Sequence, residues 1–233
     1  LFFFEFSIQK YGPSEEREVI SLFRDGILEH VYPAFFKAMS NLDHVGITLS
    51  ISMAGYVLGG SSYFQALFFG FAWASLIYSC CHEIYNSYML RRLSTDMADI
   101  ESSYLDNPDN GFWVAEADVN GQTRVVGIMG DAVDGSFGEV RHLVVAFPWR
   151  RMQLGSQLTR KALEFCKERG FTRLAVDLSS PQTAAISMYR KLGFKPCYPQ
   201  FPCIFSCLDL LCTHLHSSQS IEPFVDFPFS KSF

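Results

Sequence analysis

The chain has 233 residues, a net charge of −5 and 48% hydrophobic content with 23 phenylalanines; that length suits one globular domain with something added. The acidic balance excludes a broad basic surface for nucleic acid, so any phosphate site must be local. The seven cysteines form no secreted disulfide framework: Cys80 and Cys81 adjoin in an apolar run, while Cys197, Cys203, Cys207 and Cys212, with His214 and His216, match no zinc-ligand spacing, so no metal is expected.

Residues 1–44 open with "LFFFEF", too short for a signal peptide and lacking its basic flank. "SIQKYGPSEEREVISLF" then predicts a strand, a Gly-Pro turn and a helix, with Ser14 as N-cap and Glu15 and Glu16 in the first turn. Val19, Ile20, Leu22 and Phe23 supply its apolar face. From Val45 to Cys81 there is no Asp, Glu, Lys, Arg or His. One straight span of a bilayer needs about 20 apolar residues. The run 45–81 is longer than one span and short for two with a loop, and "GGSS" at 59–62 offers a turn near its middle. It predicts a transmembrane or re-entrant helical hairpin in a lipid bilayer; a buried pair of core helices is the alternative. Arg91 and Arg92 beyond it favour a cytoplasmic position for the globular part of the chain.

Residues 82–196 are read as the core of the domain, with globular composition from Thr95 onward. "FWVAEADVNGQTRVVGIMG" reads as two strands around Asn120-Gly121, a strong hairpin signal. "GEVRHLVVAF" is a further strand, and strict alternation puts His142 on the opposite face from Glu139. "GSQLTRKALEFCKERG" is an amphipathic helix with Leu158, Ala162, Phe165 and Cys166 on one face and Gly170 as its stop. "RLAVDL" is a strand and "QTAAISMYRKLGF" a helix ending at Gly193. This order predicts an α/β (α+β) domain around a mixed sheet flanked by helices. Residues 197–233 form an atypical tail, and "KPCYPQFPCIFSCLDLLCTHLHSSQ" after Phe194 has too few alternating apolar residues for closing strands.

In "VVAFPWRRMQLGSQL" a strand passes two arginines and a glycine turn into a helix. Unpaired N–H groups and the positive dipole end there favour an anion. Arg150, Arg151, Met152, Gln153, Leu154, Gly155 and Ser156 line the turn. About 30 residues on comes "QTAAISMYRKLGF". The pair resembles the GNAT acetyltransferase superfamily, whose signature is R/Q-x-x-G-x-G/A followed by N-x-x-A-x-x-x-Y-x-x-x-G-F. Arg150 and Gly155 match the first block, and Ala185, Tyr189, Gly193 and Phe194 the second. Gln153 stands where the first glycine is usual and Gln182 where asparagine is common. "STDMADIESSYL", "GFWVAEA", "VVGIMG" and "RHLVV", preceded by an apolar segment after the first helix, are similar to the N-acetyltransferase-8-like (camello) family of membrane-bound enzymes. The connection "GDAVDGSF" is shorter than that family leads one to expect.

The resemblance implies a GNAT fold and acetyl-CoA as cosubstrate. Leu143, Val144 and Val145 would hold the pantetheine and residues 150–156 the pyrophosphate end, with Gln182 a further cofactor-binding residue. Tyr189 matches the general acid that protonates the departing CoA sulfur, and Glu139 lies where several GNAT enzymes carry their base. His142, nearer neutrality, is a second candidate. The implied function is a membrane-bound N-acetyltransferase of the endoplasmic reticulum, acting on a small amine such as a cysteine S-conjugate. Acetylation of protein lysines, or a non-catalytic protein retaining the fold, are the alternatives. The sequence sets no oligomeric state.

Overall fold

The computed structural model describes residues 6–119, 121–134, 137–196 and 229–232. Internal contacts divide the chain into two units, one spanning 28–88 and the other built from 6–27, 89–196 and 229–232 among the described residues.

In the first unit α2 (Val31–Met39), α3 (Leu42–Leu58) and α4 (Tyr63–Leu93) follow one another. The α3–α4 turn falls where "GGSS" predicts it, with Gly60 and Ser61 both left-handed (φ 65° and 69°). α4, with 31 residues, is about 46 Å long and is the one described helix long and apolar enough to cross a bilayer. α3 has 17 residues, fewer than the roughly 20 of a straight span. The two helices approach through small residues: a Cβ on Gly55 would lie 2.6 Å from the Phe69 ring, and one on Gly70 2.7 Å from Ser52 Oγ. Leu49, Met53, Phe64, Leu67, Phe68 and Phe71 are each at least 60% exposed. An apolar surface of that extent marks contact with something other than water.

The second unit is a mixed sheet in the order β1-β2-β3-β4-β5-β7-β6. Its strands are β1 (Phe6–Lys10), β2 (Gly111–Val119), β3 (Gln122–Asp134), β4 (Phe137–Val145), β5 (Arg173–Val176), β6 (Lys195–Pro196) and β7 (Phe229–Ser232). Neighbours are antiparallel except β4 and β5, which are parallel. α1 (Glu16–Leu28) covers one face, burying Val19, Phe23 and Gly26; Gly26 sits so close to β4 that a Cβ there would run into Val144 Cγ1. α5 (Leu154–Glu168) and α6 (Thr183–Lys191) cover the other. Leu154, Leu158, Ala162 and Cys166 pack with Trp113, Met129, Val140 and Tyr189 in its core. The 3.6-residue spacing of the α5 apolar positions is what makes that helix and its buried stripe.

Two expectations, the N-cap and the tail, are corrected. Gly12, not Ser14, begins the first helical turn, and the Glu15 carboxylate accepts the Gly12 N–H at 3.1 Å. "GDAVDGSF" is largely strand: residues 130–134 prolong β3 and pair with β4 from Gly130↔Arg141 to Asp134↔Phe137. The tail does contribute a closing strand, since β7 pairs with β5 from Arg173↔Ser232 to Val176↔Phe229. Lys231 Nζ there donates to Leu192 O at 2.7 Å, matching a cation to the negative end of α6. Asn120 and the cysteines and histidines of 197–216 lie outside the described residues.

Candidate active site

β4 pairs with β5 only from Gly138↔Leu174 to Val140↔Val176. The strand continues through Arg141–Val145 along β3 but without β5, so among the described residues its β5 side is open beside Leu143, Val144 and Val145. At the start of this opening β4 carries a bulge. Gly130 pairs with Arg141 and Ile128 with Val144, so His142 and Leu143 together oppose Met129. His142 takes up the extra residue in the left-handed conformation, φ 53°, and a bulge of this kind re-aims a side chain.

The bulge overturns the alternation that set His142 apart from Glu139. Arg141 faces the same side as Tyr104, which a Cβ on its partner Gly130 would touch at 3.1 Å, and Glu139 bonds Arg141 at 2.6 Å. The His142 ring lies on that side too, edge-on to Phe23 of α1 at 5.0 Å and to Tyr104 at 6.2 Å. Its Nε2 is 2.6 Å from Asp96 Oδ2, and the same oxygen accepts the Tyr104 hydroxyl at 2.7 Å. Arg92 stands 3.9 Å from Asp96. Burial alone would raise the Asp96 pKa, but the hydrogen bond and charge of His142, with Tyr104 and Arg92, hold it well below the ordinary carboxylate range. Burial pushes the His142 imidazole down, against the Asp96 bond that raises it. Its Nδ1 is buried and has no hydrogen-bond partner. Glu139 is committed to an ion pair, with Arg141 NH2 at 2.5 Å.

At the other end, β4 leads through a 3-10 turn (Phe147–Trp149) into residues 150–153. Arg150 Nε donates to Val145 O at 2.8 Å and its guanidinium lies over Phe147. It thus braces the strand end to the turn. Arg151 and Gln153 are both left-handed, φ 64°, with Met152 between them not. Such alternation turns successive N–H groups toward one concavity, an anion-binding arrangement. No side chain caps α5. Its first intrahelical bond is Gln157 N–H to Gln153 O, so the N–H groups of Leu154, Gly155 and Ser156 are available at the positive end of the helix. A Cβ on Gly155 would meet Met188 Sδ at 3.2 Å and Val145 Cγ2 at 3.7 Å, between the end of β4 and α6. Gln182 is occupied in its own loop, where its Oε1 accepts the Ser179 N–H at 3.0 Å.

Tyr189 on α6 is fully buried, its ring 5.1 Å from Phe194. Burial pushes its phenol well above the ordinary range. Thr159 is a polar neighbour, but it gives its own proton to Gly155 O at 2.8 Å, and the Tyr189 hydroxyl has no partner of good geometry. Buried on the same side is Asp131, which burial raises to about 7 and which accepts the Cys166 thiol at 3.3 Å.

Of the residues singled out in the sequence, the structure brings Leu143, Val144, Val145, Arg150–Ser156 and Tyr189 around one continuous strand, turn and helix start. Gln182 faces its own turn, and Glu139 and His142 lie on the α1 side. Asp96, Tyr104 and Asp131 were missed. Asp96 is 46 residues from His142, and nothing in its local pattern marks it.

Gln153 supplies a direct test of the turn. A non-glycine residue in the left-handed region costs on the order of 1 kcal/mol, and glycine relieves that while adding about as much unfolded-state entropy. Gln153→Gly should therefore leave the melting temperature nearly unchanged and acetyl-CoA affinity equal or tighter by calorimetry. A clear loss of affinity would mean that the glutamine side chain itself holds the nucleotide.

The sequence profile of the acetyltransferase (GNAT) family matches residues 76–194. N-acetyltransferase 8 of Homo sapiens is 30% identical over 223 residues, covering 91% of this chain and 96% of that protein. A probable N-acetyltransferase camello of Xenopus laevis is 31% identical over 194 residues, 81% of this chain and 85% of that one. Among solved structures, a GNAT-family acetyltransferase of Staphylococcus aureus Mu50 aligns with a TM-score of 0.54 at 16% identity, covering 98% of this chain and 99% of that one. The PaiA N-acetyltransferase of Thermoplasma acidophilum, solved in complex with coenzyme A, aligns at 0.50 with 13% identity, covering 98% and 99%. At such identities the structural likeness is one of fold.

Proposed function

The chain belongs to the GNAT acetyltransferase family and is homologous to the N-acetyltransferase 8 and camello proteins, and from that premise we propose that it is a membrane-anchored N-acetyltransferase of the endoplasmic reticulum acting on a small amino-acid derivative such as a cysteine S-conjugate. Acetyl-CoA is the cosubstrate of this family's reaction. The observation that carries the reading is the open edge of β4 running without interruption into the uncapped start of α5. That edge offers backbone groups of Leu143–Val145 to an amide-bearing chain such as pantetheine. The left-handed pair Arg151 and Gln153, with the N–H groups of Leu154, Gly155 and Ser156, offers donors to a pyrophosphate.

The acceptor arrives as an ammonium and must lose a proton before its nitrogen attacks the thioester carbonyl. A β4 N–H beside the opening stabilises the oxyanion. The C–S bond then breaks, Tyr189 gives its proton to the sulfur, and the proton left on the new amide nitrogen restores the phenol. Glu139 and His142 are the candidates for the first proton transfer. The non-catalytic alternative is weakened by Gln153, which holds the left-handed conformation that a glycine would. α4 anchors the chain in the bilayer, and α3 with it completes a re-entrant pair.

The test is a single assay on membranes from cells producing the full chain, washed with alkaline carbonate. Activity should stay in the pellet, with CoA thiol released faster with cysteine S-conjugates and amino acids than with lysine peptides. Thiol release from no acceptor sinks the catalytic reading; a chain recovered in the supernatant sinks the membrane reading; preference for peptides moves the substrate to protein lysines.

A further inference from the structure

The acetyl-transfer reading needs a group that takes the first proton, and β4 offers two. Glu139 is held by the Arg141 guanidinium through both Nε and NH2, at 2.6 and 2.5 Å. That ion pair engages Glu139 Oε2 with a guanidinium instead of leaving it to an incoming acceptor. His142 differs. Its Nε2 faces Asp96, whose Oδ2 also accepts the Tyr104 hydroxyl. An ionised carboxylate can only accept, so Nε2 carries the imidazole proton and Nδ1 the lone pair. That Nδ1 is buried without a partner. Leaving a buried polar atom unmet is costly, and such an atom calls for a water, an ion or a catalytic role to explain it.

Position adds to this. His142 lies two residues past Val140, the last β4 residue paired with β5, so it sits where the strands begin to part. The left-handed backbone at φ 53° is uncommon outside glycine, and its surroundings hold it. Here they are the Asp96 bond and the edge-on rings of Phe23 and Tyr104.

We infer that His142 Nδ1 takes the proton of the acceptor ammonium, and that Asp96, itself held by Tyr104, is the positioning residue that fixes the imidazole tautomer and orientation. The inference rests on the acetyl-transfer reading above. The proton leaves the ammonium for Nδ1, directly or through one water, and passes to solvent after turnover; the freed nitrogen lone pair forms the C–N bond. A histidine oriented by a carboxylate is a common base arrangement in group transfer. The charged or titratable groups that face the ring are Asp96, Arg92 at the end of α4, Tyr104, and Arg141 with Glu139 on β4; from α1 the facing residue is the uncharged Phe23. Burial lowers the proton affinity of the ring and Asp96 raises it. Burial is the larger of the two, so the net shift favours the neutral imidazole that a base requires.

The experiment compares kcat, KM for acetyl-CoA and the pH dependence of kcat/KM for one fixed acceptor, using the full chain in detergent. His142→Gln should lower kcat about 10²–10⁴-fold with acetyl-CoA affinity kept. Asp96→Asn keeps an acceptor for Tyr104 but removes the charge that raises the imidazole. It should lower kcat roughly tenfold or more and move the acid limb of the profile to lower pH. A purely structural Asp96 would leave that limb where it is. Turnover of His142→Gln at the parent rate, or an Asp96→Asn limb unmoved, overturns the inference. So does loss of acetyl-CoA binding in both variants, which would make the cluster scaffolding. A parent protein that acetylates no acceptor overturns the acetyl-transfer reading itself, a result distinct from these.

Discussion

Replacing Tyr189 with phenylalanine is expected to lower kcat by about 10²–10⁴-fold, the usual cost of losing a general acid, without lowering acetyl-CoA affinity or the melting temperature. The reason for the second half lies in the burial. The ring is fully enclosed and packed on Phe194, and phenylalanine keeps that packing. The hydroxyl has no partner of good geometry, so removing it breaks no hydrogen bond and relieves a buried polar atom, a change worth up to about 1–3 kcal/mol in favour of the fold. A residue kept only for packing would therefore be improved by the substitution. If it instead supplies the proton taken up by the departing sulfur, its contribution appears only in the transition state, in kcat and not in binding. Burial raises the phenol, so it stays protonated across the working range and adds no limb to the pH profile. Steady-state kinetics, acetyl-CoA calorimetry and thermal melting on the same preparation decide it; a phenylalanine variant that turns over at the parent rate returns Tyr189 to the core.

Gly155→Val is expected to abolish measurable acetyl-CoA binding, a loss of at least roughly 100-fold, or about 2.7 kcal/mol. Sequence reasoning gives the glycine to close approach of a pyrophosphate. The structure gives a second reason: a Cβ at 155 points between Val145 Cγ2 and Met188 Sδ. The two further methyls of valine would fill the space at the end of β4, where the open strand edge meets the helix start. Gly155→Ala is the informative companion. Its single methyl meets the thioether of a flexible methionine at 3.2 Å, which can give way, so the alanine variant should fold and bind with intermediate affinity. A valine variant that melts like the parent and binds normally would make the turn purely structural.

What could be read along the chain was whatever depends on neighbours in sequence. The apolar stripe of Leu158, Ala162, Phe165 and Cys166 sets α5 and its buried face. The "GGSS" turn separates α3 from α4 because two consecutive left-handed residues end a helix there, and "MYRKLGF" ends α6 at Gly193 with φ 87°. The turn at 150–156 was legible as a helix start with free N–H groups, because those follow from chain order alone.

The chemistry around the turn was decided elsewhere. Alternation assumes an unbroken ladder, and the bulge at His142 breaks it, bringing that ring to the side of Glu139 and into contact with Phe23, Tyr104 and Asp96. Asp96 reaches His142 only because the chain returns to the sheet after α4, a long-range pairing that leaves no local signature. Whether Glu139 is a free carboxylate or half of an ion pair depends on Arg141 two residues along the same strand face, and Gln182 turns to its own loop because a backbone N–H there needs an acceptor. β7, whose strand is too short to announce itself, is held by its pairing with β5 and by Lys231 on the end of α6. Local pattern and turn chemistry thus determined the elements and the turn that opens α5. Sheet register and hydrogen-bond partners, which are properties of the packed chain, decided which side chains at that site are free to act.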